Sequence, residues 1–220
     1  MTFPAAILFD LDGTLLDTAP DFIAVMNQLR IEEKQSLLPE EAIRAQVSNG
    51  ASGLIEFAFS IQEQHADFQR LRLRLLDLYE QHLAQYTQLF PGMDHLLKAA
   101  EQRNIPWGVV TNKPSRYAIP LMEALHLNQR CATLICPDHV QNRKPHPEPL
   151  YLACTQLNVA AELCVYVGDH ERDIQSGRNA GMKTVAAVYG YIPPQANLLA
   201  WHADFYAQTP QAIQDWLFHD

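Results

Sequence analysis

Asp10 and Asp12 stand two residues apart, directly after the apolar run Ala5-Ala6-Ile7-Leu8-Phe9. Residues two apart on a strand point to the same face. The pair therefore sets two carboxylates side by side, where like charges repel. Similar strand ends recur downstream. Thr111-Asn112 follows Trp107-Gly108-Val109-Val110, and Asp169 follows Cys164-Val165-Tyr166-Val167-Gly168, with Asp173 four residues later. Lys144 opens the stiff run Lys144-Pro145-His146-Pro147-Glu148-Pro149. Carboxylates gathered at one edge need a cation among them. Mg²⁺ takes hard oxygen ligands and pairs with phosphate, which makes Asp10 and Asp169 the natural direct ligands. Gly13 and Thr14 allow a tight turn whose backbone N–H groups can approach an anion. Thr111 and Asn112 can donate to the same anion, and Lys144 brings a compact positive charge. These residue types fit the binding of a divalent cation together with an anion such as phosphate.

The elements that must position them are legible as short apolar runs. Ala6 to Asp10, Trp107 to Thr111, Thr133 to Cys136, Cys164 to Gly168 and Thr184 to Tyr189 read as buried strands, with Asp204 to Tyr206 as a sixth. Each is continuous rather than alternating, as in strands covered on both faces. Helical patterns at Gly92 to Arg103, Ser115 to His126, Glu148 to Leu157 and Asp173 to Ala180 separate them. This alternation predicts a parallel α/β sheet of five or six strands, with helices on both faces and right-handed crossovers. Ligands bind such sheets beyond the carboxyl ends of the strands. From Pro20 to Phe90 the alternation stops and no strand is expected. Phe22, Val25, Met26 and Leu29 fit one helical face, and Phe68, Leu71, Leu75 and Leu78 another. The chain therefore reads as an α/β core, residues 1–18 and 91–220, with an all-helical insertion at 19–90. The insertion starts just after the acidic loop, where a lid would sit.

The formal net charge of -9 argues against nucleic acid or an anionic membrane as partner. Cys131, Cys136, Cys154 and Cys164 form no C-x-x-C pair and read as reduced thiols of a cytoplasmic protein. No apolar stretch approaches the ~20 residues of a membrane span. Lys113 and Arg143 are expected to be surface charges, and His146 and His170 to flank the site without acting in it.

Taken in order, Asp10-Leu11-Asp12-Gly13-Thr14, Thr111-Asn112, Lys144 and Gly168-Asp169 with Asp173 resemble the signature segments of the haloacid dehalogenase superfamily, specifically its phosphatases. The resemblance implies a Rossmann-like core with a mobile helical cap and a Mg²⁺ cofactor. Asp10 would attack phosphorus and form an aspartyl-phosphate. Asp12 would protonate the leaving oxygen, activate water for hydrolysis, and give its backbone carbonyl to the metal beside Asp10 and Asp169. Thr111, Asn112, Lys144 and Gly13 would hold the phosphoryl group, and Asp173 would orient Lys144 or a metal-bound water.

In the insertion, Ser48-Asn49-Gly50-Ala51-Ser52-Gly53 is read as a loop. It resembles the substrate-facing cap loop of phosphoglycolate phosphatases, so Ser48, Asn49 and Gly50 are expected to meet substrate. Over the whole length, Leu16–Ala24, Trp107–Pro114, Leu134–Val140 and Tyr189–Ile192 look like the N-acetylmuramic acid 6-phosphate phosphatases of bacterial cell-wall recycling. Asn49 departs from the Gly of that group, and His170 from its Asp. A small phosphorylated metabolite is the expected partner: N-acetylmuramic acid 6-phosphate first, phosphoglycolate second. The chain is expected to be a monomer or homodimer. Asp12 speaks against a haloacid dehalogenase proper, and the lack of a suitable cap lysine against a phosphonate hydrolase. A phosphosugar mutase shares the same core, and a non-enzymatic scaffold would not need these residues.

Overall fold

In the computed structural model, residues 3–193 and 195–218 are described. Strand β1 (Ala6–Phe9) is followed by a two-residue strand, β2 (Leu16–Asp17). Four helices come next: α1 (Ala19–Glu32), α2 (Glu40–Arg44), α3 (Gly50–Phe59) and α4 (Phe68–Gln81). A second two-residue strand, β3 (Gln88–Leu89), closes this excursion. The chain then alternates through α5 (Met93–Gln102), β4 (Trp107–Val110), α6 (Ser115–Ala124), β5 (Thr133–Ile135), α7 (Glu148–Leu157), β6 (Cys164–Gly168), α8 (Glu171–Asn179) and β7 (Lys183–Ala187). It ends with β8 (Phe205–Ala207) and α9 (Pro210–Leu217).

The main sheet is parallel throughout, in the order β5-β4-β1-β6-β7-β8. Strands β1, β4 and β6 are fully buried, which explains their unbroken apolar sequences. Alternate residues serve opposite layers. Ile7 and Phe9 pack with Val109, Val167 and helices α5, α6 and α9, while Ala6 and Leu8 pack with Val110, Tyr166 and α7. The apolar interior of the insertion, including Phe22, Leu54 and Leu75, is continuous with the first of these layers.

From β1 the chain builds outward through β4 to β5, then crosses back to β6 on the other side of β1 and continues outward through β7 to β8, so the strand order reverses beside β1. A crevice opens at such a switch point. Phe9 lies level with Val109 and with Val167. Asp10, Thr111 and Asp169 therefore leave three neighbouring strands at one edge.

Three expectations need correction. The insertion is not free of strands. Leu16 pairs with Leu89 and Asp17 with Gln88, antiparallel, and the Asp21 carboxylate accepts hydrogen bonds from Tyr86 N (2.7 Å) and Thr87 Oγ1 (2.6 Å). Both crossings into the insertion are thus buckled together. The stretch from Ser48 to Gly53 is not one loop. A 3₁₀ turn at Val47–Asn49 passes into α3, with Gly50 at φ 69° making the bend; a residue with a Cβ rarely adopts that angle. Helix α8 begins at Glu171 rather than Asp173. His170 caps it, its ring Nδ1 accepting from Arg172 N (3.2 Å) while its own N–H donates to Asp173 Oδ2 (3.1 Å). Reciprocal bonds of this kind satisfy the orphan donors of a first turn.

Candidate active site

Lys144 is the hub. Its ammonium is fully buried and lies 2.9 Å from Asp10 Oδ1 and 2.7 Å from Asp173 Oδ1. It also donates to Val110 O (3.0 Å) and to the Tyr166 hydroxyl (2.8 Å), which in turn donates to Val110 O (2.8 Å). Burial pushes the Lys144 ammonium down, but Asp10 and Asp173 outweigh it and hold it above the usual range. Burial pushes Asp10 up, yet the charge and hydrogen bond of Lys144, the Arg172 charge and the Leu11 N–H (2.7 Å) hold it below the usual carboxylate range. Asp10 is therefore an ionised carboxylate facing the crevice.

Asp10, Asp169 and Asp173 bring ligand oxygens within 4.8 Å of one another, all three buried. Against three acids, one lysine leaves an excess of negative charge. Asp169 registers it: burial, then Asp10 and Asp173, push its carboxyl up to about 8. A divalent cation fits this donor set, since it would supply the missing charge. Asp169 is held by Thr14 Oγ1 (3.1 Å), the Tyr191 N–H (2.9 Å) and Ser48 Oγ (3.3 Å) from the insertion. Gly13, at φ 82°, sits so near that a Cβ there would lie 2.1 Å from Asp169 Oδ2; a Cβ at Gly190 would lie 2.4 Å from Asp169 Cβ. Both glycines let backbone close over the acid.

The side chain of Asp12 stands apart from these three. Its Oδ1 accepts from Thr18 Oγ1 (2.6 Å) and from Lys113 Nζ (2.9 Å). Lys113 is not the surface charge expected from sequence. Its side chain is 5% exposed and its ammonium lies over the rings of Phe22 and Tyr79. Burial pushes it down, but Asp12 and then Tyr79 raise it above the usual range. Arg143 is exposed.

Thr111 Oγ1 accepts from Lys113 N (3.1 Å), so its own proton stays available. Asn112 spends its amide N–H₂ on Lys144 O (3.2 Å), and its buried Oδ1 has no partner among the described residues. Ser48 reaches the acids, whereas Asn49 is exposed and bonds Gln46 (2.8 Å). Gly50 supplies the bend, with open space about it. His146 is exposed at its side chain, and His170 is pushed down to about 4 by burial and Arg172.

Arg172 and Tyr166 are not singled out by the sequence, and Tyr191 only as part of Tyr189–Ile192. Arg172 donates to the Ser48 carbonyl and so ties the insertion to the core. The Tyr191 hydroxyl donates to Asp17 Oδ1 (2.8 Å) and accepts from Ala19 N (2.8 Å) at the entry to the insertion. No spacing rule flags a tyrosine or arginine whose partners are so distant in sequence. The Tyr189-Gly190-Tyr191 repeat was the one available signal.

The sequence model of the haloacid dehalogenase-like hydrolases matches residues 7–187. An N-acetylmuramic acid 6-phosphate phosphatase of Pseudomonas putida KT2440 is 48% identical, over 95% of this chain and 94% of its own length. A phosphoglycolate phosphatase of Xanthomonas campestris pv. campestris 8004 is 43% identical over 97% and 96%. The crystal structure of a predicted phosphoglycolate phosphatase from Haemophilus somnus 129PT superposes with a TM-score of 0.86 at 25% identity, covering 98% of this chain and 99% of that one. None of the described helices is long and apolar enough to cross a membrane. The chain belongs to the haloacid dehalogenase-like hydrolase family and is one of its phosphatases.

Proposed function

We propose that this phosphatase is Mg²⁺-dependent and hydrolyses N-acetylmuramic acid 6-phosphate through an aspartyl-phosphate on Asp10. The observation that carries the chemistry is Lys144 held between Asp10 and Asp173 beside a third buried acid. The 48% identity over 95% of the chain supports the substrate. Phosphoglycolate is the second reading, favoured by the relative of that name at 43%.

Asp10, Asp169 and the Asp12 backbone carbonyl would hold the cation. Bound there, Mg²⁺ supplies electrostatic stabilisation of the phosphoryl oxygens. Asp10, kept ionised, attacks phosphorus in line with the leaving oxygen. Lys144 and the Thr111 hydroxyl hold the phosphoryl oxygens, and Asp173 fixes the Lys144 ammonium. Asp12 protonates the departing sugar oxygen, then takes a proton from the water that attacks the aspartyl-phosphate. The Ser48 turn brings the insertion over the acids, where it meets the non-phosphate part of the substrate.

The substrate is tested by kcat/KM for N-acetylmuramic acid 6-phosphate, phosphoglycolate and several hexose phosphates. We expect the first to lead by at least about tenfold, or 1.4 kcal/mol of transition-state binding. A flat profile would rule out both named substrates. Recovery of label as a bisphosphorylated sugar would instead identify a mutase.

Metal binding has a pH signature. With Asp169 at about 8 in the cation-free protein, binding below that pH must displace a proton. Apparent Mg²⁺ affinity should therefore rise by up to about fiftyfold from pH 6 to pH 8. The unfolded carboxyl titrates near 3.8, so the cation-free protein loses stability as pH climbs from there towards about 8. Mg²⁺ should raise Tm more at pH 8 than at pH 6, read by calorimetry with and without the ion. Equal shifts at both pH values would place the ion elsewhere.

A further inference from the structure

Lys113 is a buried cation that the chemistry above does not use. Among the described residues its ammonium makes one ion pair, to Asp12 Oδ1 at 2.9 Å. It also lies over the rings of Phe22 and Tyr79, with centroids at 5.1 and 4.7 Å. Phe22 belongs to α1 and Tyr79 to α4, and the two rings stack 4.1 Å apart. The wall over Lys113 is therefore supplied by the insertion, while Lys113 itself belongs to the core loop after β4. Burying an ammonium costs several kcal/mol, and such pairs seldom repay it in stability. The two ring faces offset part of that cost.

Both contacts to Asp12 fall on Oδ1, from Thr18 at 2.6 Å and Lys113 at 2.9 Å. Among the described residues no donor reaches Oδ2. Pinning one oxygen fixes the carboxylate's rotation and leaves the other for proton transfer. We propose that Lys113 is the positioning residue for Asp12, and that it acts only while Phe22 and Tyr79 cover it, so that seating the insertion on the core aims the proton-transfer group. The inference rests on the reading of Asp12 as the acid. It predicts that proton delivery and insertion closure are one event, not two.

Leaving-group dependence separates this role from a structural one. p-Nitrophenol departs as a stable anion, whereas phenol is a stronger base and needs its proton more. We expect Lys113→Met to lower kcat/KM for phenyl phosphate at least about tenfold more than for p-nitrophenyl phosphate, with Lys113→Arg restoring part of the difference. Tyr79→Leu opens the wall without touching Asp12 and should give the same bias, smaller. Asp12→Asn is the reference. If Asp12→Asn shows the bias and neither Lys113→Met nor Tyr79→Leu does, the positioning role is wrong and the Asp12 reading stands. If Asp12→Asn shows none, both fall. Should Lys113→Met fail to fold, Lys113→Arg and Tyr79→Leu still decide, because a purely structural defect lowers both substrates by the same factor.

Discussion

Asp10→Asn yields a folded protein that releases phosphate from p-nitrophenyl phosphate at least on the order of 10⁴-fold more slowly than the parent, with or without saturating Mg²⁺. The amide is nearly isosteric but cannot attack phosphorus. It also leaves Lys144 paired with Asp173 at 2.7 Å, so the buried ammonium keeps an anionic partner. That remaining pair is why the fold should survive. Circular dichroism and a phosphate-release assay on the purified variant check both halves. Near-parental turnover, with contaminating phosphatase excluded, would remove Asp10 from the reaction.

Lys144→Met should be damaging in two separable ways. Activity should drop by about 10³-fold or more, because the positive charge against the transferring group is gone. Stability should drop as well. Asp10 and Asp173 would lie buried beside each other without their shared cation, and breaking a buried pair from one side costs about 3–5 kcal/mol. The direction with pH is fixed. Deprived of Lys144, Asp10 rises above its unfolded value of 3.8 and Asp173, which burial already holds above it, rises further, so both bind protons more tightly folded than unfolded. The variant's stability should then fall as pH climbs from about 5 to 8. Urea midpoints at pH 5.5 and 8, compared with those of the parent, measure it. Adding Asp173→Asn to Lys144→Met removes one stranded charge and should recover part of the stability, none of the activity. A pH-independent loss would mean that the stranded acids are not what destabilises the variant.

The central strands of the main sheet were legible because they are buried on both faces, and burial writes itself into sequence as a run of apolar residues. Asp10, Thr111 and Asp169 could be singled out for a related reason: polar residues that interrupt such runs stand at strand ends. Lys144 was legible through its rigid proline context. Strands β2 and β3 were not, since two residues carry no period; their pairing depends on residues some 70 positions apart. The burial of Lys113 was hidden in the same way. Its pairing with Asp12 spans 101 positions, and its aromatic wall comes from two different helices. A lysine's sequence context reports charge, but only the folded neighbourhood decides whether water can reach it. For Asn49 a motif gives the expectation of substrate contact, and the fold adds that its side chain is exposed and bonds Gln46.

The clasp formed by Leu16-Asp17 and Gln88-Leu89 has a consequence for how such a chain diversifies. Because departure and return are adjacent strands, the core experiences the whole excursion as a single closed loop. Loop-closure entropy grows only with the logarithm of length, about 0.6 kcal/mol per doubling. The closure cost borne by the sheet that holds the acids thus depends little on how many residues lie beyond the clasp. The excursion can change length in whole blocks, like a tool head changed on a fixed spindle, while Asp10, Thr111 and Asp169 keep their places at the sheet edge.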